Sequence, residues 1–258
     1  MDEVASLIPE QLPRSSNITN NSQQNSDYKP SCPFCVIAHT FQPVSALSAP
    51  NSPALESTKL DPPSFVLFSS EHVIAFLDIM PLTRGHVLIA PRKHRVKIGD
   101  LSGDESAQIG RVLPLVARSV LKSVLPDIPH DEVDYNIVQN NGPGAAQVVP
   151  HVHFHLIPRP PLNYTYPARV SKAPPKHSSY LPNEQPNARA RNAIMFGRGQ
   201  RQDLDYDEAE VLVEEIRQAI KDECDPASAL DSLNLGSEDQ AASDSHGETK
   251  NRKGGWKV

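Results

Sequence analysis

The chain has 258 residues, of which 38% are hydrophobic and 25 are proline, and its formal net charge is −6. That length suits one domain of ordinary size with tails, or two small ones, and proline at about twice the usual ~5% leaves much of the chain outside a packed core. The negative balance gives no global pull toward nucleic acid or anionic membrane, no apolar run reaches the roughly 18 residues of a bilayer span, and the acidic start MDEVASLIPEQLPR is not expected to act as a signal peptide.

Residues 1–30, with RSSNITNNSQQNSDYKP, read as a disordered tail. SCPFCVI is a short structured island, and 38–63, rich in Pro and Ser, reads as a flexible insertion. Strands are then predicted at FVLFSS (65–70), HVIAFLDIM (72–80) and GHVLIAP (85–91), separated by turn signals. SGDESAQIGRVLPLVARSVLKSVL (102–125) predicts a long helix with Ser102 or Asp104 as N-cap. Its apolar positions Ile109, Leu113, Val116, Val120 and Leu121 fall at helical spacing, and Pro114 inside it should kink or locally break it. VDYNIVQN (133–140) is a fourth strand, followed by the loop NGPGAAQVV and a fifth strand at PHVHFHLIPR. Sequential strands with one long helix predict an α+β domain over 31–160 with an antiparallel sheet. A Pro-rich and basic loop follows over 161–203. Ala209, Leu212, Val213, Ile216 and Ile220 mark an amphipathic C-terminal helix over 204–224, and 225–258 read as a second disordered tail.

Three of the ten histidines, His151, His153 and His155, alternate with Val152, Phe154 and Leu156. A period of two is that of a strand, so the apolar set faces a core and the histidines share the other face. At about 3.3 Å rise per residue the outer imidazoles lie roughly 13 Å apart, too far for one metal ion whose ligands sit at about 2 Å. Each histidine is therefore expected to have its own task. A two-histidine HxH chelate and a plain polar strand face remain open at this point.

NIVQNNGPGAAQVVPHVHFHLIPR and FLDIMPLTRGHVLIAPRKH together resemble the histidine triad (HIT) family of nucleotide hydrolases and transferases. The family motif is met by His151-Val-His153-Phe-His155, with Asn140 eleven residues before it, and the likeness spans roughly 30–160. It implies a HIT-like fold: an antiparallel sheet of about five strands, one long helix and here an added C-terminal helix. It also implies the chemistry. His153 would attack the α-phosphate of a purine nucleotide, since neutral imidazole is a good nucleophile near pH 7. His151 and His155 would set its tautomer and hydrogen-bond the phosphate or leaving group, and His86 would support the cluster. Asp78 would accept from ribose hydroxyls, Ile79 and Phe76 would contact the base, and Asn140, Ala146, Gln147 and Val148 would meet the phosphate or leaving group. Taken alone, Asp78, His86 and Asn140 could each be an ordinary turn or strand-end residue. Two positions depart from the pattern: Val148 stands where phosphoramidases often carry Ser or Thr, and Ala146 replaces a usual Gly.

Three cysteines, Cys32, Cys35 and Cys224, cannot form a closed disulfide set, so a reducing place, cytoplasm or nucleus, is expected. Cys32-Pro-Phe-Cys35 alone could be a zinc half-site or a redox pair. The resemblance completes a Cys2His2 site with His94 and His151, implying a structural Zn2+ and no organic cofactor. The expected activity is hydrolysis of adenosine 5′-phosphoramidates to AMP. Dinucleoside polyphosphate hydrolysis is the alternative within the same chemistry, and a non-catalytic nucleotide-binding module is the alternative outside it. A transferase is disfavoured because His155 completes the triad. A homodimer is expected, with neither membrane nor nucleic acid as partner, although the basic run 172–201 and the end KNRKGGWKV could meet an acidic one.

Overall fold

The computed structural model describes residues 27–161, 164–167 and 203–225. Most of both expected tails, and the basic run 172–201, lie outside the described residues. Helix α1 covers Pro33–Thr40; strands β1 Val66–Ser69, β2 Val73–Leu77 and β3 Val87–Pro91 follow; then come helix α2 Gly103–Val124, β4 Tyr135–Gln139, β5 Phe154–Pro158 and helix α3 Tyr206–Cys224. The five strands form one sheet in the order β1-β2-β3-β5-β4, and every neighbouring pair is antiparallel.

Strand alternation divides the core into two layers. Leu67, Ala75, Ile89 and Leu156 face α2 and α3, whereas Val66, Ile74, Phe76, Leu88 and Ala90 face α1 and the segment after it. β5 begins at Phe154, later than the expected strand over 150–159, so only His155 of the row lies in it; His155 pairs with Leu88, and the rings of His151 and His153 meet Phe34, which sets all three on the α1 side. That face is not wet: His151 is 0% and His153 4% exposed. Val152 is buried and Leu156 packs in the opposite layer, as the alternation predicts.

Helix α2 starts at a capping box. Ser102 accepts the Glu105 N–H at 3.2 Å, and the Glu105 carboxylate accepts the Ser102 N–H at 2.8 Å. The helix continues through Pro114 without a break. Pro114 and Gly110 both face solvent, so the carbonyl that loses its N–H partner can turn to water. Helix α3 is capped by Asp205, which accepts from the N–H groups of Asp207 and Glu208. Its five expected apolar residues are all buried, and each large one contributes about 1.5–3 kcal/mol.

Segment 38–63 departs from the expected flexibility. It is laid down as three short 3₁₀ turns, Ala46–Ser48, Pro53–Leu55 and Ser57–Lys59, with Phe41 and Leu55 fully buried. Helix α3 fastens it. The Asn51 N–H donates to Glu214 at 2.7 Å, Ser57 hydrogen-bonds Glu210, and the buried Arg217 guanidinium donates to Leu55 O at 2.8 Å and Val66 O at 2.6 Å.

The β2–β3 turn ends at Gly85, whose φ is +75°. A Cβ there would stand 2.5 Å from Val124 Cγ2 of α2. Gly85→Ala combines left-handed backbone strain with overpacking and should cost about 2–3 kcal/mol, read as a lower midpoint in urea unfolding.

Candidate functional site

Four side chains converge where α1 meets the start of β5. Cys32 Sγ lies 3.4 Å from His151 Nδ1, and Cys35 Sγ lies 3.3 Å from His94 Nδ1 and 3.6 Å from His151 Nδ1. All four donor atoms fall within 4.8 Å of one another. Tetrahedral zinc with bonds of about 2.0–2.3 Å puts its ligand atoms roughly 3.4–3.8 Å apart, so the set fits such an ion. His151 Nε2 donates to Pro91 O at 2.9 Å, which leaves the Nδ1 lone pair facing the sulfurs. Burial pushes the Cys35 thiol up to about 11 and drives His151 down to about 4, so the site loses thiol protons when it takes up a cation. Helix α1 is held in place by Arg92, which donates to Ala38 O at 2.6 Å, Phe41 O at 3.0 Å and Ser69 Oγ at 2.9 Å.

The histidine row is shared out between different neighbours. His151 belongs to the cysteine cluster, while His155 lies with Asp78 and His86. His153 sits between them, its ring 4.9 Å from that of His155 and edge-on to Phe34 at 5.1 Å. His153 Nδ1–H donates to the His151 carbonyl at 2.7 Å, which fixes the lone pair on Nε2. Burial lowers its pKa, so the ring is neutral at pH 7. His151 Nε2 is bonded to Pro91 O and its Nδ1 lone pair faces Cys32 and Cys35, so His151 has no lone pair left for an HxH chelate with His153.

His86 accepts the Leu82 N–H on Nδ1 at 3.2 Å, so its proton is on Nε2, 3.0 Å from His155 Nδ1. His155 then carries its own proton on Nε2. Asp78 Oδ2 is 3.5 Å from His86 Nδ1 and sets a negative charge beside this relay. Asp78 also closes a turn, accepting the Met80 N–H on Oδ1 at 2.8 Å. Of the residues expected at the base, Ile79 is half exposed, whereas Phe76 is buried edge-on against Phe34.

The loop before the row is built differently from the expectation. The N–H groups of Ala146 and Gln147 are used inside the turn, on Pro143 O and Gly142 O. The Gln147 side chain is buried; it accepts the Gly142 N–H at 2.6 Å and donates to Val96 O at 2.8 Å and His151 O at 3.2 Å. The Gln147 side chain thus clamps the loop to the row. Ala146 adopts the left-handed conformation, φ 60°, that favours glycine. Val148 is 90% exposed, and Asn140 is half-buried. Sequence reasoning missed Phe34, Arg92 and the inward turn of Gln147. Phe34, set between the two cysteines, was the one visible signal.

The sequence profile of the HIT domain matches residues 59–162. Adenosine 5′-monophosphoramidase hnt1 of Schizosaccharomyces pombe is 42% identical over 106 residues, spanning 41% of this chain and 72% of that protein. This chain belongs to the HIT family. A second relative of this HIT protein, adenosine 5′-monophosphoramidase HNT1 of Candida albicans, is 43% identical over 99 residues, covering 38% of this chain and 62% of the relative. Among solved structures, a hypothetical histidine triad nucleotide-binding protein from Sulfolobus tokodaii aligns over 74% of the HIT protein described here and 92% of its own chain, at 22% identity and a TM-score of 0.49. No helix among the described residues is long and apolar enough to cross a membrane.

Proposed function

We propose that this HIT protein hydrolyses adenosine 5′-phosphoramidates to AMP through a nucleotidyl group carried on His153. The observation that carries the reading is the tautomer of His153: Nδ1–H is held by a backbone carbonyl and Nε2 is left as a neutral nucleophile. Nε2 attacks the α-phosphorus, the P–N bond breaks, and the leaving amine takes a proton from the His155–His86 relay. The charge that appears on the substituted imidazole is stabilised by the His151 carbonyl already bonded to Nδ1. Water then attacks phosphorus, its proton passing to the His155–His86 relay, and cleavage of the P–N bond releases AMP and returns His153 to its neutral form. Ile79 lies along the base, Asp78 accepts from the ribose, and Asn140 and Val148 border the leaving group. The names of the relatives, both adenosine 5′-monophosphoramidases, favour this substrate class.

The donor set Cys32, Cys35, His94 and His151 suits Zn2+ as a closed structural site. Its task is to pin α1 and the His151 backbone, which in turn holds His153. The chain is read as a homodimer joined at strand β4, the sheet edge, where Tyr135 and Ile137 are each 42% exposed. Cytoplasm or nucleus suits a pair of thiols needed in reduced form for the metal.

One residue favours a second substrate class. Val148 offers no hydroxyl to an amine leaving group, which suits a polyphosphate leaving group as well. Rates of AMP release from adenosine 5′-phosphoramidate and from diadenosine tetraphosphate decide between them. Faster release from the phosphoramidate is the expected result; preference for the tetraphosphate assigns the protein to polyphosphates, and binding of AMP without turnover of either would make it a nucleotide-binding module.

A further inference from the structure

The turn between β2 and β3 carries Asp78 and Ile79 at its start and His86 at its end. It is gripped from outside the segment that matches the HIT domain. The Leu204 N–H, two residues ahead of α3, donates to Ile79 O at 3.0 Å. Four residues on, Glu208 meets the guanidinium of Arg84 at 3.0 Å. Arg84 is nearly buried, and its Nε and second terminal nitrogen have no hydrogen-bond partner among the described residues. Its head group also lies over the ring of Tyr166, 5.3 Å from the centroid. Tyr206 of α3 packs against Phe65 at 5.5 Å, beside the same end of the sheet.

This arrangement makes Glu208 the counter-charge on which Arg84 depends. A largely buried guanidinium is costly unless a carboxylate stays in place beside it, and among the described residues the carboxylate bridged to Arg84 is that of Glu208. Removing or reversing that carboxylate pushes Arg84 toward water, and Arg84 lies in the backbone of the turn that presents Asp78 and Ile79. The Leu204 bond acts directly on Ile79 itself. We propose that the C-terminal extension is a positioning element for the nucleoside, acting through the Arg84–Glu208 ion pair and the Leu204–Ile79 hydrogen bond. Ribose and base recognition then depend on chain outside the HIT domain, while the attacking histidine does not. This inference rests on the reading of Asp78 and Ile79 as nucleoside contacts given above.

The test uses the full chain with Glu208→Arg, Arg84→Glu and the double exchange, measuring AMP affinity by calorimetry and kcat and KM for adenosine 5′-phosphoramidate. Each single reversal should raise KM and the AMP dissociation constant roughly 3- to 30-fold with kcat nearly unchanged, and the double exchange should recover most of the loss. A purely structural pair would lower thermal stability and leave KM alone, and that result overturns the proposal. Equal losses in the singles and in the double also overturn it. Wild type that neither binds AMP nor releases it would instead overturn the reading of the site itself, which keeps the two failures distinct.

Discussion

His153→Ala should lower AMP release on the order of 10⁴-fold or more while leaving AMP affinity within a few-fold of wild type. The size follows from removing the nucleophile of a two-step displacement: about 1.4 kcal/mol of barrier corresponds to each factor of ten, so the loss is about 5 kcal/mol or greater. Affinity is preserved because the nucleoside contacts assigned to Asp78 and Ile79 do not involve the imidazole. The His151 carbonyl keeps its bond from Gln147, so the loop before the row stays clamped after the substitution. His155→Ala should cost less, about 10²–10⁴-fold, because it removes proton donation rather than the bond-forming atom. Steady-state rates beside AMP calorimetry check both statements.

Stripping the metal is the second large effect. If zinc is held a thousandfold above its dissociation constant, its removal takes away about 4 kcal/mol of stability. For a domain of this size that lowers the melting temperature by about 8–16 °C. Cys35→Ser should act in the same direction, since Cys35 touches both His94 and His151. Activity should fall along with stability, because the cluster fixes the backbone carbonyl that sets the tautomer of His153. Calorimetric scans with and without a strong chelator, followed by zinc add-back, measure the effect. A melting temperature indifferent to chelator and to Cys35→Ser would remove the metal from the account.

Much of the fold was legible because single segments carried their own signal. The apolar runs at 65–91 could only be buried strands, and α3 announced itself through Leu212, Val213, Ile216 and Ile220. The histidine row was legible only in part: His155 lies in β5, whereas His151 and His153 precede that strand and reach the same side of the sheet by their contacts with Phe34 of α1. What escaped depends on partners distant in sequence. Segment 38–63 is Pro- and Ser-rich and looks mobile by composition, yet it is fixed by Glu210, Glu214 and Arg217, about 150 positions away. Pro114 looks like a helix breaker, yet it and Gly110 lie on the exposed side of α2, where the freed Gly110 carbonyl can turn to water. Nothing in the sequence around Gln147 shows that its side chain turns inward to bond Gly142, Val96 and His151. Which metal ligands join Cys32 and Cys35 was supplied by the resemblance, since CxxC by itself says nothing about His94 or His151.

In the proposed mechanism the α-phosphate is carried on His153 before water reaches it. The direct measurement is the stereochemistry at phosphorus, using an adenosine 5′-phosphoramidate analogue with one chiral phosphorothioate centre hydrolysed in heavy-oxygen water. Two successive in-line displacements each invert phosphorus, so net retention of configuration is the expected result. Net inversion would mean that water attacks the substrate directly, and would contradict a nucleotidyl group on His153.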